Sequence, residues 1–318
     1  MVSLRIPAAE VRGFNYHPSY STGSLEDWIL FDEAVWRREL EAGKQMFPRM
    51  NTVRIWLSWN AYCRMGEGFI EAVRKVIDVC HALDLYVMPC LFNRWHDPMV
   101  DCDGIYLDHF LPGSSWLLKF GDPFTDYVDA LGVAFGKEER ILVWDICNEP
   151  FAYCLDFPLR EAVMPHELAW LRRMTERLRT HTDIPIGISS TGGHSMRVFE
   201  GIFDVYLTHM YYTGDDAEKF DRKVARFAQE AKEDGCPLIS SECCWGSLDD
   251  KKRADMMRVT FETFRRHGVG FIAHALQYSG CADLHGPEDG RLTPDIGNLA
   301  FTRKDGTMRP YHDLFNEY

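Results

Sequence analysis

Two glutamates stand at the ends of apolar runs. Glu149 closes Ile141–Glu149 (ILVWDICNE), which Pro150 stops, and Glu242 closes Pro237–Glu242 (PLISSE). Runs of this kind are buried strands, and a carboxylate at the end of one emerges where the core meets solvent. Most glutamates lie on exposed surface, as a helix-face residue such as Glu176 would. Two carboxyl groups in such a mouth can divide one reaction. One, kept protonated near neutral pH, gives its proton to a leaving oxygen. The other, kept ionised, acts from the opposite side of an acetal carbon. That is the chemistry of glycosidic bond cleavage. The bland alternative is that one or both form structural ion pairs with arginines.

The elements that must position this pair alternate in type. Strand-like runs fall at Val11–His17, Asn51–Trp56, Tyr86–Phe92, Ile141–Cys147, Pro185–Ser190, Val205–Tyr211, Pro237–Glu242 and Gly270–Leu276. Between them, apolar residues at three- and four-residue spacing predict helices over Phe31–Phe47, Gly68–Leu83, Pro165–His181, Ala217–Asp234 and Asp249–His267. Phe124–Phe135 carries a weaker pattern, and Ser195–Gly201 would be very short. Eight strand–helix units over 318 residues predict an α/β fold, a single (β/α)8 TIM barrel spanning residues 1–318. A doubly wound open sheet would want a glycine-rich turn after the first strand, where the chain instead reads Pro18-Ser19-Tyr20-Ser21. The pair lies 93 positions apart, the span of three units, which assigns Glu149 to strand four and Glu242 to strand seven. Across a barrel mouth these strands allow a gap of roughly 5 Å, the spacing that gives retention of configuration.

Segments after strands build the active face of a barrel. Here they are long after strands one, three, four and eight. Asn93–Lys119 contains Arg94, Trp95, His96, Asp97 and Trp116, and Ser279–Asn298 contains Asp283 and His285. Nine tryptophans exceed what the core needs, and tryptophan faces serve as sugar platforms, though any one of them can be core filling. Trp95 and His96 are candidate sugar contacts on these grounds.

A net charge of −13 argues against nucleic acid and anionic membrane partners. No run reaches the length of a membrane span, and the first residues carry no signal-peptide pattern, so a cytoplasmic location is expected. Ten cysteines without zinc spacing fit a reducing compartment. Strand alternation would turn the adjacent Cys243 and Cys244 to opposite faces, as small core residues.

The motifs resemble a known family. Trp144-Asp145-Ile146-Cys147-Asn148-Glu149-Pro150 resembles the strand-four Asn-Glu-Pro motif of clan A glycoside hydrolases, particularly family 5, which includes cellulases, β-mannanases and β-mannosidases. Arg12-Gly13-Phe14-Asn15 is similar to the family's first strand, and Asn51-Thr52-Val53-Arg54-Ile55 with Trp59 to its second. His209-Met210-Tyr211, Ser241-Glu242, and Asp305-Gly306-Thr307 followed by Pro310 match in order and spacing, so the likeness touches nearly the whole chain. It implies Glu149 as general acid/base and Glu242 as nucleophile. It implies that Asn148 bonds the substrate 2-hydroxyl, that Arg54 and Tyr211 hold Glu242, and that His209 lies near the sugar or the acid/base. The bland alternatives are that Arg54 satisfies buried carbonyls and that His209 is a core histidine.

The chain also departs from the family. Strand eight often ends in a Trp that floors the site; here Gln277, Tyr278 or Trp245 stands in for it. Met50 replaces a common Gly, and the third strand ends in an unmatched Asn93-Arg94-Trp95-His96. The resemblance thus implies a retaining β-glycosidase acting on gluco- or manno-configured short oligosaccharides, with no metal or organic cofactor. Exo action is expected from the long loops after strands one, three and eight and from the absent export signal. The rivals are an endo-β-glucanase or β-mannanase with an open cleft, a non-catalytic sugar-binding barrel, and a metal-dependent hydrolase using His96, Asp97, His194, His209 or His274.

Overall fold

The computed structural model describes residues 4–95, 103–151, 157–283 and 296–318. Its centre is a closed barrel of eight parallel strands, each hydrogen-bonded to the next in chain order, with the eighth pairing back to the first. They are β1 (Arg12–Tyr16), β2 (Thr52–Trp56), β3 (Tyr86–Asn93), β4 (Trp144–Asn148), β5 (Ile186–Ser190), β6 (Val205–His209), β7 (Leu238–Cys243) and β8 (Gly270–Ala273). Around them lie α1 (Ser24–Ile29), α2 (Glu33–Met46), α3 (Trp59–Met65), α4 (Glu67–Ala82), α5 (Thr125–Phe135), α6 (Phe157–Arg179), α7 (Ala217–Glu233) and α8 (Asp250–His267). The expected (β/α)8 barrel is therefore the observed fold.

Two apolar layers hold it. The larger lies between strands and helices and includes Phe14, Trp36, Phe69, Trp170 and Phe264. The smaller draws Val11, Met88, Leu142, Val143, Val205, Ile239 and Ile272 from the beginnings of the strands, with Leu4 and Ile6 packed against it. This plug makes one end of the barrel apolar. Polar side chains collect at the other, where the strands end.

Local chemistry sets the helix boundaries. Asp32 and Asp249 cap α2 and α8, each accepting bonds from two backbone amides of the first turn. Gly268 ends α8 in the left-handed conformation, at φ 66°.

Several boundaries differ from expectation. The helix expected from Pro165 begins at Phe157, so Pro165 sits inside α6. Proline suits a first turn, and that preference misplaced the start. α1 and α3 are too short to show a helical period. β4 begins at Trp144, leaving Ile141 in an isolated bridge to Val87. β6 stops at His209 rather than Tyr211. β8 stops at Ala273, three residues before the expected end, and the His274–Ala275 peptide that follows is cis. Cys243 and Cys244 do not point apart: their sulfurs lie 3.5 Å from each other, because the strand ends at Cys243 and Cys244 turns to φ 71°.

Candidate active site

Arg54 is the centre of the polar end. It is fully buried on β2, and its guanidinium spends its nitrogens on four side chains. Nε and Nη2 donate to Asp145 Oδ2 at 2.9 and 2.8 Å. Nη1 donates to Asn15 Oδ1 at 2.7 Å and Glu242 Oε1 at 2.8 Å, and Nη2 reaches Asn148 Oδ1 at 2.9 Å. Burial alone would lower its pKa. Asp145 and Glu242 more than offset that, and the cation is held more firmly than usual. Asp145 also accepts from the backbone amide and hydroxyl of Ser189 on β5. The reading of Arg54 as a partner of carbonyls alone is thus set aside.

Glu242 ends its strand beside this cation. Its second oxygen accepts from the Tyr211 hydroxyl at 2.8 Å. Burial and the neighbouring Glu242 push the Tyr211 phenol well above its ordinary range, so it stays a donor. Bonds to its two oxygens, one from a guanidinium and one from a phenol, fix this side chain in place.

Glu149 lies one residue beyond β4 in the left-handed region, at φ 48°, its amide bonded to the Ser189 carbonyl. Such a conformation is strained for a residue other than glycine and turns the side chain back over the barrel mouth. Burial raises its pKa from 4.5 to about 7, against the opposing influence of Arg54. Glu149 Oε1 shares a 2.7 Å hydrogen bond with His209 Nδ1, whose ring also lies 3.4 Å from Glu242 Oε2. Burial lowers the His209 pKa to about 4 despite the pull of Glu242, so the ring is neutral near pH 7.

One oxygen of Glu149, one of Glu242 and a nitrogen of His209 lie within 4.8 Å of one another. The carboxylate spacing is that of enzymes that retain configuration, and it falls short of the gap that inverting enzymes leave for water. Among the described residues this trio is also the group of donors that could reach one cation. Of the residues expected as metal ligands, His209 belongs to this trio, whereas His274 does not. His194 is instead bonded to Arg160, and His96 and Asp97 lie outside the described residues.

The pocket over these groups is walled by Asn148, Glu149, Tyr211 and Glu242, with Trp95 and Trp245 among the aromatic walls. Asn148 faces it while also donating to Asn93 Oδ1. Trp245 packs edge-on to Tyr211, ring centres 5.1 Å apart. Gln277 does not take the floor position. It is buried away from the pocket, because β8 ends early and His274 forms that wall instead. His17 and Trp56 also line the pocket, and sequence reasoning missed both, together with Asp145 and Asn15. A charged residue inside the otherwise apolar WDIC run was a signal for Asp145. Nothing comparable marked His17 or Trp56.

A family model described as cellulase (glycosyl hydrolase family 5) matches residues 46–156, the segment that carries Arg54, Asn148 and Glu149. A comparison with curated proteins finds no match. Among solved structures the fold is similar to the exo-beta-1,4-mannosidase Op5Man5 from Opitutaceae bacterium strain TAV5. That match has 18% identity and a TM-score of 0.71 over 99% of this chain and 60% of that one. The GH5-4 broad specificity endoglucanase from Clostridium acetobutylicum matches at 13% identity and TM-score 0.68, covering 99% and 98% of the two chains. The endo-beta-1,4-mannanase from Thermotoga petrophila matches at 17% and 0.64, covering 97% and 76%. This chain thus spans less than two thirds of the mannosidase, and only 34% of a Bacteroides uniformis beta-glucuronidase of similar fold. The structural likeness is one of fold. The family model adds that the segment around strands two to four is of the family 5 type, as the motifs implied.

Proposed function

We propose that this protein is a retaining, exo-acting β-glycosidase that cleaves short gluco- or manno-configured oligosaccharides by double displacement. The observation that carries the reading is the pair of carboxylates with oxygens within 4.8 Å in opposite environments. Glu242 is held by a guanidinium and a phenol, and Glu149 keeps its proton up to about pH 7.

Glu242 attacks the anomeric carbon as the bond to the leaving oxygen breaks, and the Glu149 proton passes to that oxygen. Water then attacks the same carbon from the vacated side. Its proton returns to Glu149, and the bond to Glu242 breaks. Arg54 and Tyr211 receive the negative charge of Glu242 as it departs. Asn148 Nδ2, with one hydrogen committed to Asn93, keeps the other for the sugar 2-hydroxyl. No step calls for a metal or organic cofactor.

Exo action is supported by the loops after β3 and β8, which bring Trp95, Cys281, Ala282, Ile296 and Leu299 onto the pocket walls. A cytoplasmic setting belongs to the same proposal. Among the described residues no helix is long and apolar enough to cross a membrane.

The test is Glu242→Gln together with a 2-deoxy-2-fluoro glycoside. The variant should lose at least 10³-fold in kcat, and the wild-type protein should carry a covalent sugar on Glu242. A variant as active as wild type would refute the nucleophile. Early mid-chain products from a polysaccharide would replace exo action with an open-cleft endo enzyme.

A further inference from the structure

Three residues of the pocket wall hold ring nitrogens without a hydrogen-bond partner among the described residues. They are Trp56 Nε1, His17 Nε2 and His274 Nδ1, and each nitrogen is buried. A buried polar atom left unpaired is costly, and one facing a pocket is accounted for by a ligand that completes it.

The three stand together. His274 follows β8, His17 follows β1, and Trp56 ends β2, and these strands are neighbours in the barrel. His17 and Trp56 are in ring contact at 5.3 Å. His17 and Trp56 are also held in place. His17 Nδ1 meets Asp27 Oδ2 at 2.7 Å, and the carbonyl of Trp56 accepts from Trp28 Nε1 at 2.8 Å. The Arg54 guanidinium lies 4.9 Å over the Trp56 ring.

The two side chains differ as partners. An indole N–H can only donate. With Nδ1 of His17 bonded to the Asp27 carboxylate, Nε2 is the ring nitrogen left for a ligand. An indole donor beside an imidazole nitrogen suits neighbouring hydroxyls, each of which can both give and accept.

The arc also has a direction. Glu149, just after β4, stands across the barrel from β8, so a leaving group protonated by Glu149 departs on the β4 side. The sugar that remains then extends toward β8, β1 and β2. Taking the proposed glycosidase reading as its basis, we propose that Trp56, His17 and His274 form a specificity arc. It reads the free hydroxyls of the terminal sugar on the side remote from the anomeric carbon. A sugar substituted or chain-extended at those hydroxyls loses the bonds and leaves the nitrogens buried and unpaired.

The test uses Trp56→Phe, which removes only the N–H, and His17→Asn, whose amide still meets Asp27 but lacks the outer nitrogen. Both are compared with wild type on p-nitrophenyl β-D-mannoside and β-D-glucoside and on their 3-, 4- and 6-deoxy analogues. Thermal midpoints establish that the variants fold. Each variant should lose about tenfold in kcat/KM on the cleaved parent and nothing further on one deoxy analogue. Wild-type rates on the parent, or equal losses on parent and every analogue, would overturn the arc. Calorimetric titration of the same proteins with methyl β-D-mannoside and β-D-glucoside separates this from the glycosidase reading. A wild-type protein that binds but does not cleave refutes the glycosidase while weaker binding by both variants still upholds the arc. Equal affinity across the three proteins, or no binding by wild type, refutes the arc.

Discussion

At the residue scale the site rests on a proton that Glu149 keeps beside a Glu242 carboxyl bonded by Arg54 and Tyr211. Activity that needs protonated Glu149 falls as pH rises through about 7, and a kcat/KM profile on a neutral glycoside should show that limb. The same shift affects stability. The carboxyl's pKa is raised in the folded state, so its contribution is fully present below about pH 4.5 and is lost as pH rises through about 7. Glu149→Gln removes this cost and should melt higher than wild type at pH 8, by up to about 3 kcal/mol, with a smaller difference at pH 4. A gain that is equal at both pH values would show that the glutamate is not strained by ionisation. The two glutamates were legible in the sequence because each interrupts a buried run. Arg54, Tyr211 and His209 were legible through family motifs. Asp145 was passed over although it is buried at the centre of the network, and Gln277 was placed in a pocket it does not line. His17 and Trp56 carried no motif, since their roles depend on which strand ends close the barrel.

At the element scale the eight strands could be read because a parallel barrel buries both faces and makes each strand a continuous apolar run. Their ends could not, since an end depends on where pairing stops. The early end of β8 moved the pocket wall from Gln277 to His274, and the start of α6 was misread at Pro165. One tight approach fixes how β1 presents its polar residues. A Cβ on Gly13 would stand 2.4 Å from the Thr52 carbonyl oxygen and 2.7 Å from Ile272 Cδ1. The oxygen belongs to the β2 backbone and cannot swing aside. Two residues on, Asn15 accepts from Arg54 and donates to the Ser241 carbonyl at 3.0 Å. Gly13→Ala should therefore cost about 1–3 kcal/mol of stability and lower kcat as well, because displacing β1 loosens the guanidinium that holds Glu242. Denaturant unfolding read beside kcat checks this. Lost stability with unchanged kcat would mean that the Asn15 contact does not set the geometry of Arg54.

At the scale of the whole molecule, 48 acidic against 35 basic residues give a field that disfavours anions, and the site itself does not reverse it. Arg54 faces both Asp145 and Glu242, so one buried cation stands against two carboxylates. These charges are inside the barrel, where salt does not screen them, whereas surface charges are screened over a Debye length of about 10 Å at 0.1 M. The two populations should separate in a salt series. With a neutral glycoside, approach feels no field and the buried network is shielded, so kcat and kcat/KM should stay within about twofold from low to high ionic strength. A glycoside whose sugar or leaving group carries a carboxylate meets repulsion during approach. Its kcat/KM should be low in dilute buffer and rise with added salt while kcat stays flat. The opposite slope, with kcat/KM for the anion falling as salt is added, would require a cationic patch at the pocket mouth that outweighs the net charge. The preference for uncharged sugars would then have to be abandoned.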